Sequence, residues 1–339
     1  MSIPPEYYRY RNLDFKVVLL GLKRSFSMSF DLVGLGELLW DCLPEGRVMG
    51  GAPGNVVFHA RQLGLNATLA TRIGSDSAGR DLLQQVKSIG LPTHLIQVDA
   101  HRPTSLVTVE LDQTGSAKYV FTPDCAWDGL EQSPLWLEAC ASARSICFGS
   151  LAQRGKRSHQ TILSCLKISR EKSPAACRLF DINLRAPHID CEAIIASLRL
   201  TSALKLNEDE WPVLMGMLES SPQGFPSTTF EKASADVVFE KFPELQWMCV
   251  TQGKAGLSLC TREEWVKVPG QSIQVVDTVG AGDATSAGLI YGHLQNWPLV
   301  KIARFANTLG GLVASHRGAT PCLPLQQLAA QFEVCQFEV

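Results

Sequence analysis

No long apolar run, no surplus of charge of either sign, no paired-cysteine spacing and no common phosphate-loop signature is found in this sequence. Its longest early apolar stretch, Val17 to Leu20 with Gly21 and Leu22, is closed by Lys16 and Lys23. That is far short of the roughly 20 residues needed to cross a bilayer, so no membrane segment is expected. Lys and Arg number 31 against 33 Asp and Glu, a formal charge of −2. No global basic field therefore draws in nucleic acid or an anionic lipid surface, and any anionic ligand must be held by a local site. Eleven cysteines, an odd number, run from Cys42 to Cys335 without one C-x-x-C pair. A disulfide framework and a zinc site are both disfavoured, and a reducing, cytoplasmic setting is the simpler expectation. Gly155-Lys156 is followed by Arg157 and lacks the upstream glycine of a Walker loop. Gly34-Leu35-Gly36 and Gly280-Ala281-Gly282 both lack the third glycine of a dinucleotide fingerprint. A P-loop ATPase and a Rossmann dehydrogenase are disfavoured.

What is present is a globular composition, 45% apolar and 19% charged over 339 residues, enough for one large domain with an appendage. Phe30 to Leu35 reads as a first buried strand. Apolar residues at helical spacing follow from Gly54 to Leu65, then a strand at Thr68 to Ile73. The alternation recurs with a helix at Asp81 to Ile89, strands at Ser145 to Phe148, Arg178 to Ile182 and Ala203 to Leu206, and helices at Ser158 to Ser169 and Phe230 to Lys241. This pattern predicts an α/β fold, a mostly parallel sheet with helices on both faces. Leu38 to Val48 and Ser105 to Phe121 interleave polar and apolar residues and are expected to form a small antiparallel β lid.

The main domain is expected to span residues 29–326, with a tail at 327–339 in which Gln331-Phe-Glu-Val recurs as Gln336-Phe-Glu-Val; no function is assigned to that repeat. Residues 1–28 show no period and read as an extension, with Met28 as an alternative start of translation. A transit peptide, or an added element packing Val17 to Leu22, are the other two readings of that segment.

The strongest local signal is Asp277-Thr-Val-Gly-Ala-Gly-Asp283, placed between an expected strand at Ile273 to Val276 and the helical Ala284 to Leu294. Small residues at such a junction let successive backbone amides of Gly280, Ala281 and Gly282 point into one cavity at the positive end of a helix, an anion hole. Asp283 beside it would be kept ionised by those dipoles and could accept the proton of an attacking hydroxyl. The same heptad also suits a plain turn with Asp283 as a cap. Gly50-Gly-Ala-Pro-Gly-Asn55 lets backbone approach a ligand, and Asn55 offers donor and acceptor to hydroxyls, or else caps a helix. Asp41 either accepts from sugar hydroxyls or is an ordinary loop carboxylate.

Taken in order, these motifs resemble the ribokinase-like (PfkB) carbohydrate kinase family. The likeness runs from about Phe30 to Pro324 through Gly50 to Asn55, Ile73-Gly-Ser-Asp76 with Gly79, Asp181-Ile-Asn-Leu-Arg185, Asn207-Glu-Asp-Glu210, Thr251-Gln-Gly253 with Gly256, and Asp277 to Asp283. The resemblance implies an ATP-dependent sugar kinase with Asp283 as base and the amides of Gly280, Ala281 and Gly282 on the transferring phosphoryl group. It implies that Asp41, Gly51, Asn55 and Arg185 line the sugar pocket, and that Asn207, Thr251, Gly253, Gly256 and Asn307 line the nucleotide pocket. Glu210 would organise Mg2+ through water, which suits a cation that keeps its waters. The early helix break expected from Trp211-Pro212 argues against a purely capping role for Asn207. A monovalent cation, K+, would lie near Asp277, the carbonyl of Val279, Gly318 and Cys322, the last a sulfur where related kinases have Ser. Gly36-Glu-Leu-Leu-Trp-Asp41 and Gly50-Gly-Ala-Pro are most similar to fructokinases, so fructose is the first expected substrate. A 2-keto-3-deoxygluconate kinase or a ribokinase is the enzymatic alternative, and an inactive sugar-binding sensor the alternative of another class. A homodimer through the lid is the expected assembly.

Overall fold

The computed structural model describes residues 29–43, 46–111, 117–218 and 229–334; the extension at 1–28 and the second Gln-Phe-Glu-Val lie outside them. Six strands run parallel in the order β10 (Ala203–Asn207), β9 (Cys177–Asp181), β8 (Ser145–Phe148), β1 (Leu32–Leu35), β4 (Ala67–Gly74) and β5 (Ile96–Asp99). β11 (Trp247–Thr251) adds in parallel beside β10. The sheet then ends in an antiparallel hairpin of β12 (Leu257–Cys260) and β13 (Trp265–Val268).

Every central strand is buried on both sides, and neighbouring residues on one strand feed opposite cores. Leu69, Cys147, Leu179 and Cys249 join one apolar cluster, while Ala70, Ile146, Phe180 and Met248 join the other. This two-fold periodicity is why the strands read as continuous apolar runs. The first core is covered by α1 (Ala52–Gln62), α2 (Ser77–Ser88), α8 (Ala281–Leu294), α9 (Leu299–Ala314) and α10 (Leu325–Phe332). The second is covered by α3 (Pro134–Ser142), α4 (Lys156–Lys172), α5 (Cys191–Leu198), α6 (Glu210–Leu218) and α7 (Lys232–Lys241). The helices on both faces expected from the alternation are therefore present. The chain turns back on itself at β1, whose neighbours β4 and β8 lead in opposite directions, and ligand crevices open at such reversals, beyond the carboxyl ends of the strands.

A second sheet of four strands, β3 (Gly46–Gly50), β2 (Leu39–Leu43), β6 (Leu106–Leu111) and β7 (Ala117–Phe121), forms the expected lid. Its two hairpins are antiparallel, but they are joined by a parallel pair, Trp40 opposite Leu106. Trp40 Nε1 donates to the carbonyl of Ala78 at 2.9 Å, tying the lid to α2.

Three local expectations are corrected. Ile273 to Val276 is not a strand. Val275 and Val276 are exposed, and the amides of Val276 and Asp277 donate to the carbonyl of Ala314 at the end of α9 (2.9 and 3.2 Å). The alternating residues have no neighbouring strand to pair with, because the sheet already closes at β13. The segment drawn as a tail from 327 is helical to Phe332. Leu328 and Phe332 are buried, the latter edge-on to Phe305 at 5.0 Å. Asn207 does cap a helix, for Pro212 is tolerated in the first turn of α6 and the Asn207 Oδ1 accepts the amides of Asp209 and Glu210 at 3.0 and 2.9 Å.

Candidate active site

The functional groups named from sequence gather at the carboxyl ends of β1, β9, β10 and β11, facing the starts of α1 and α8. Gly280 takes a left-handed conformation (φ 78°) immediately before α8. A side chain there would meet Ala319 at 2.5 Å, so both backbone shape and space require glycine. The amides of Gly280, Gly282 and Asp283 have no acceptor among the described residues, as the first turn of a helix must leave them. Ala281, expected to join the same set, instead donates to the carbonyl of Thr278 at 3.3 Å. The free donors are thus Gly280, Gly282 and Asp283, aligned with the positive end of a 14-residue helix.

Asp283 is held from the sugar side. Its Oδ2 accepts Nδ2 of Asn55 at 2.8 Å, which joins α1 to α8. Burial pushes its pKa up to about 6, Asp181 adds to the rise, and Lys205, the Asn55 hydrogen bond and Arg185 oppose it. Burial thus works against the charge that the helix start favours.

The other residues assigned to a sugar pocket by the resemblance lie near the same strand ends. Gly51 (φ 113°) lies against the carbonyl of Glu37, and the carboxylate of Asp41 covers the place a side chain on Gly50 would take. Burial lifts Asp41 to about 6 against the pull of Arg185. Among the described residues the guanidinium of Arg185 bonds only the carbonyl of Leu184, which leaves it donors to spare.

Two charged residues that sequence reasoning passed over belong to the site. Glu37 is 2% exposed, its Oε2 has no hydrogen-bond partner among the described residues, and burial raises its pKa to about 7. Lys205 is 6% exposed and donates to Asp181 Oδ2 at 2.8 Å, an oxygen that also accepts from Ser286 Oγ at 2.8 Å. The signal for Lys205 was a single cation inside the apolar strand Ala-Leu-Lys-Leu, which only a paired group tolerates.

On the nucleotide side, Thr251 ends β11, and Gly253 and Gly256 (φ 51° and 97°) shape the turn after it. Asn307 donates to the carbonyl of Pro269 at 3.1 Å on the wall of a 420 Å³ cleft bounded by Val268, Gln271, Arg304 and Thr308. Glu210 is buried, which raises its pKa, and its two oxygens accept the amides of Leu184 and Asn207 at 2.7 and 2.9 Å. Asp277 likewise accepts from Val279 and Gly318, each at 3.0 Å, drawing together two of the segments expected around a monovalent cation. Cys322 is exposed at the far end of that loop. His59 and Gln62 of α1 pin the loop by contacts to the carbonyls of Ala319 and Pro321 at 2.8 and 3.0 Å.

A buried carboxyl group beside free helix-start amides, with further carboxyl groups and a cleft near by, is an arrangement suited to phosphoryl transfer. The chain belongs to the pfkB family of carbohydrate kinases, whose model matches residues 36–326. It is 29% identical over 306 residues to a fructokinase of Klebsiella pneumoniae, covering 86% of this chain and 95% of that protein. It is 28% identical over 326 residues to a fructokinase of Escherichia coli, covering 88% and 98%. Among solved structures, the ATP-bound fructokinase of Xylella fastidiosa superposes with a TM-score of 0.75 at 22% identity, covering 90% of this chain and 98% of that one. The aminoimidazole riboside kinase of Salmonella enterica gives 0.72 at 22%, covering 89% and 99%. The mostly parallel sheet, flanking helices and small lid sheet are thus those of ribokinase-like kinases. No described helix is long and apolar enough to cross a membrane.

Proposed function

We propose that this sugar kinase transfers the γ-phosphoryl group of ATP to a primary hydroxyl of a neutral sugar, fructose first, giving fructose 6-phosphate. The observation that carries the reading is Asp283, fixed at 2.8 Å by Asn55 between the sugar pocket and the amides of Gly280, Gly282 and its own backbone. A hydroxyl placed between Asn55 and Asp283 loses its proton to Asp283 as the new P–O bond forms, and the amides take up negative charge on the transferring group. The choice among sugars follows from charge. Asp41 and Asp283 set two carboxylates against one guanidinium, Arg185, with the carboxyl of Glu37 beside them. Hydroxyls are welcome there and a carboxylate is repelled, which favours fructose over 2-keto-3-deoxygluconate.

ATP enters from the side of Thr251 and Asn307. Mg2+ fits this site as an outer ion, since both Glu210 oxygens already hold backbone amides, and Glu210 would reach it through water. When bound, the ion supplies neutralising charge on the nucleotide phosphates. Oxygen donors from Asp277, Val279 and Gly318 suit K+, with Cys322 the poor member of the set. The ten described cysteines are all free, in keeping with a cytoplasmic enzyme, and a homodimer through the lid, where Leu43 and Val48 are exposed, is the assembly proposed. The test is a phosphorylation panel of fructose, ribose, adenosine and 2-keto-3-deoxygluconate with the product position determined. Fructose is expected to give the highest kcat/KM; a lead for the keto acid would replace fructose, and no ATP turnover with any sugar would favour the sensor.

A further inference from the structure

We propose that Lys205 is a positioning residue for the base, an ammonium set behind the anion hole to cancel the charge of Asp181 and leave Asp283 free to ionise. The inference rests on reading Asp283 as the base. Lys205 and Asp181 are neighbours on adjacent parallel strands, paired in register and both buried, with Nζ to Oδ2 at 2.8 Å. The same Oδ2 accepts Ser286 Oγ at 2.8 Å, one turn along α8 from Asp283. A side chain built on Gly282 would come within 3.0 Å of the Lys205 Nζ, so the ammonium abuts the backbone that precedes Asp283.

Asp283 is faced from every neighbouring element: by Asn55 on α1, Asp181 and Arg185 at and after the end of β9, Lys205 on β10, Glu37 after β1 and the Cys147 thiol on β8. Of these, Asp181 is the fully buried anion whose charge bears most on the base. Without its cation it would make ionisation of Asp283 costly, as two neighbouring carboxylates do. Burial works against the charge on Lys205, yet the pairing with Asp181 outweighs it and holds the lysine protonated. A pair kept only for packing would let either partner be neutralised alone with no effect on ionisation nearby.

The two partners therefore push the base in opposite directions, and the acid limb of kcat against pH reads the push. With the best sugar of the panel at saturation, Lys205→Met is expected to move that limb up by about one pH unit, and Asp181→Asn to move it down. The double variant is expected near the wild-type limb. Limbs unmoved in folded Lys205→Met and Asp181→Asn would overturn the proposal, whatever happened to melting temperature. Should Lys205→Met fail to fold, Asp181→Asn decides by itself, because it keeps the shape and the lysine while removing the anion. A failure of the underlying reading looks different: turnover retained in Asp283→Asn.

Discussion

Replacing Gly280 by Ala tests whether the shape of the α8 start is required by chemistry or only by folding. The residue has φ 78°, and a methyl group there would meet the Ala319 Cα at 2.5 Å and its carbonyl oxygen at 2.6 Å. Left-handed backbone costs about 1–2 kcal/mol for an alanine, and forcing a methyl into a filled space costs about 1–3 kcal/mol more. The sum, about 2–5 kcal/mol, leaves a typical domain folded at room temperature. Relief must come from backing the 316–322 loop away or tilting the first turn of α8, and either displaces the phosphate-binding amides. A shift of about 1 Å in such groups lowers turnover on the order of a hundredfold. Gly90 is the control: its φ is 75°, yet nothing lies within 4 Å of an added methyl. Gly90→Ala is therefore expected to lose stability by the backbone term alone and to keep its turnover. The assays are ADP release under saturating sugar and ATP, and thermal melting of the same samples. Gly280→Ala turning over within about twofold of wild type would show that the amides do not serve the reaction in this geometry.

Asp283→Asn is expected to lower kcat by about two to four orders of magnitude with sugar binding, read by calorimetry, largely kept; near-normal turnover would remove Asp283 from its role. Glu37 has its pKa raised to about 7 from 4.5, so the fold prefers it protonated, and the stability this brings is present below pH 4.5 and lost as pH rises through about 7. Glu37→Gln should accordingly gain melting temperature relative to wild type at pH 8 compared with pH 5, and a difference independent of pH would refute the assignment. Turnover is expected to rise with potassium, and equal rates in potassium and in a bulky organic cation would count against an ion beside Asp277.

The centre of the sheet, β1, β4, β8, β9 and β10, was legible because each buried strand carries a plain apolar run, and α1, α2, α4, α7 and α8 were legible as helical segments between them, whereas β5, β11, β12, β13 and helices α3, α5, α9 and α10 went unnamed. Where pattern and partner part company, the sequence misleads. Ile273 to Val276 has the alternation of a strand but no edge to join, and Leu328 and Phe332 complete a core whose other half lies on α9, distant in sequence. The site residues that declared themselves did so by motif: Asn55 and Asp283 stand in spaced sets with glycines, and Asn207 and Glu210 in an Asn-x-x-Glu spacing. Lys205 and Glu37 were missed because their meaning depends on burial. A charged side chain has no visible function until one knows that Asp181 stands beside it, or that its own carboxyl oxygen has no partner.

The division of the apolar interior by one sheet has a consequence for how such a protein changes over time. Asn55, Asp283 and the loop held by His59 and Gln62 all depend on the layer made by α1, α8 and α9. The opposite layer, α3, α4, α5 and α7, meets the sheet through Trp136, Ile162, Cys140, Cys165 and Phe239 and contributes none of the groups assigned to chemistry. Substitutions there are filtered by volume and by the few buried hydroxyls, such as Ser158 and Ser197, that hold hydrogen bonds. One side of the molecule can drift, or be rebuilt for stability, while the other is confined by the few tenths of an ångström that catalysis allows.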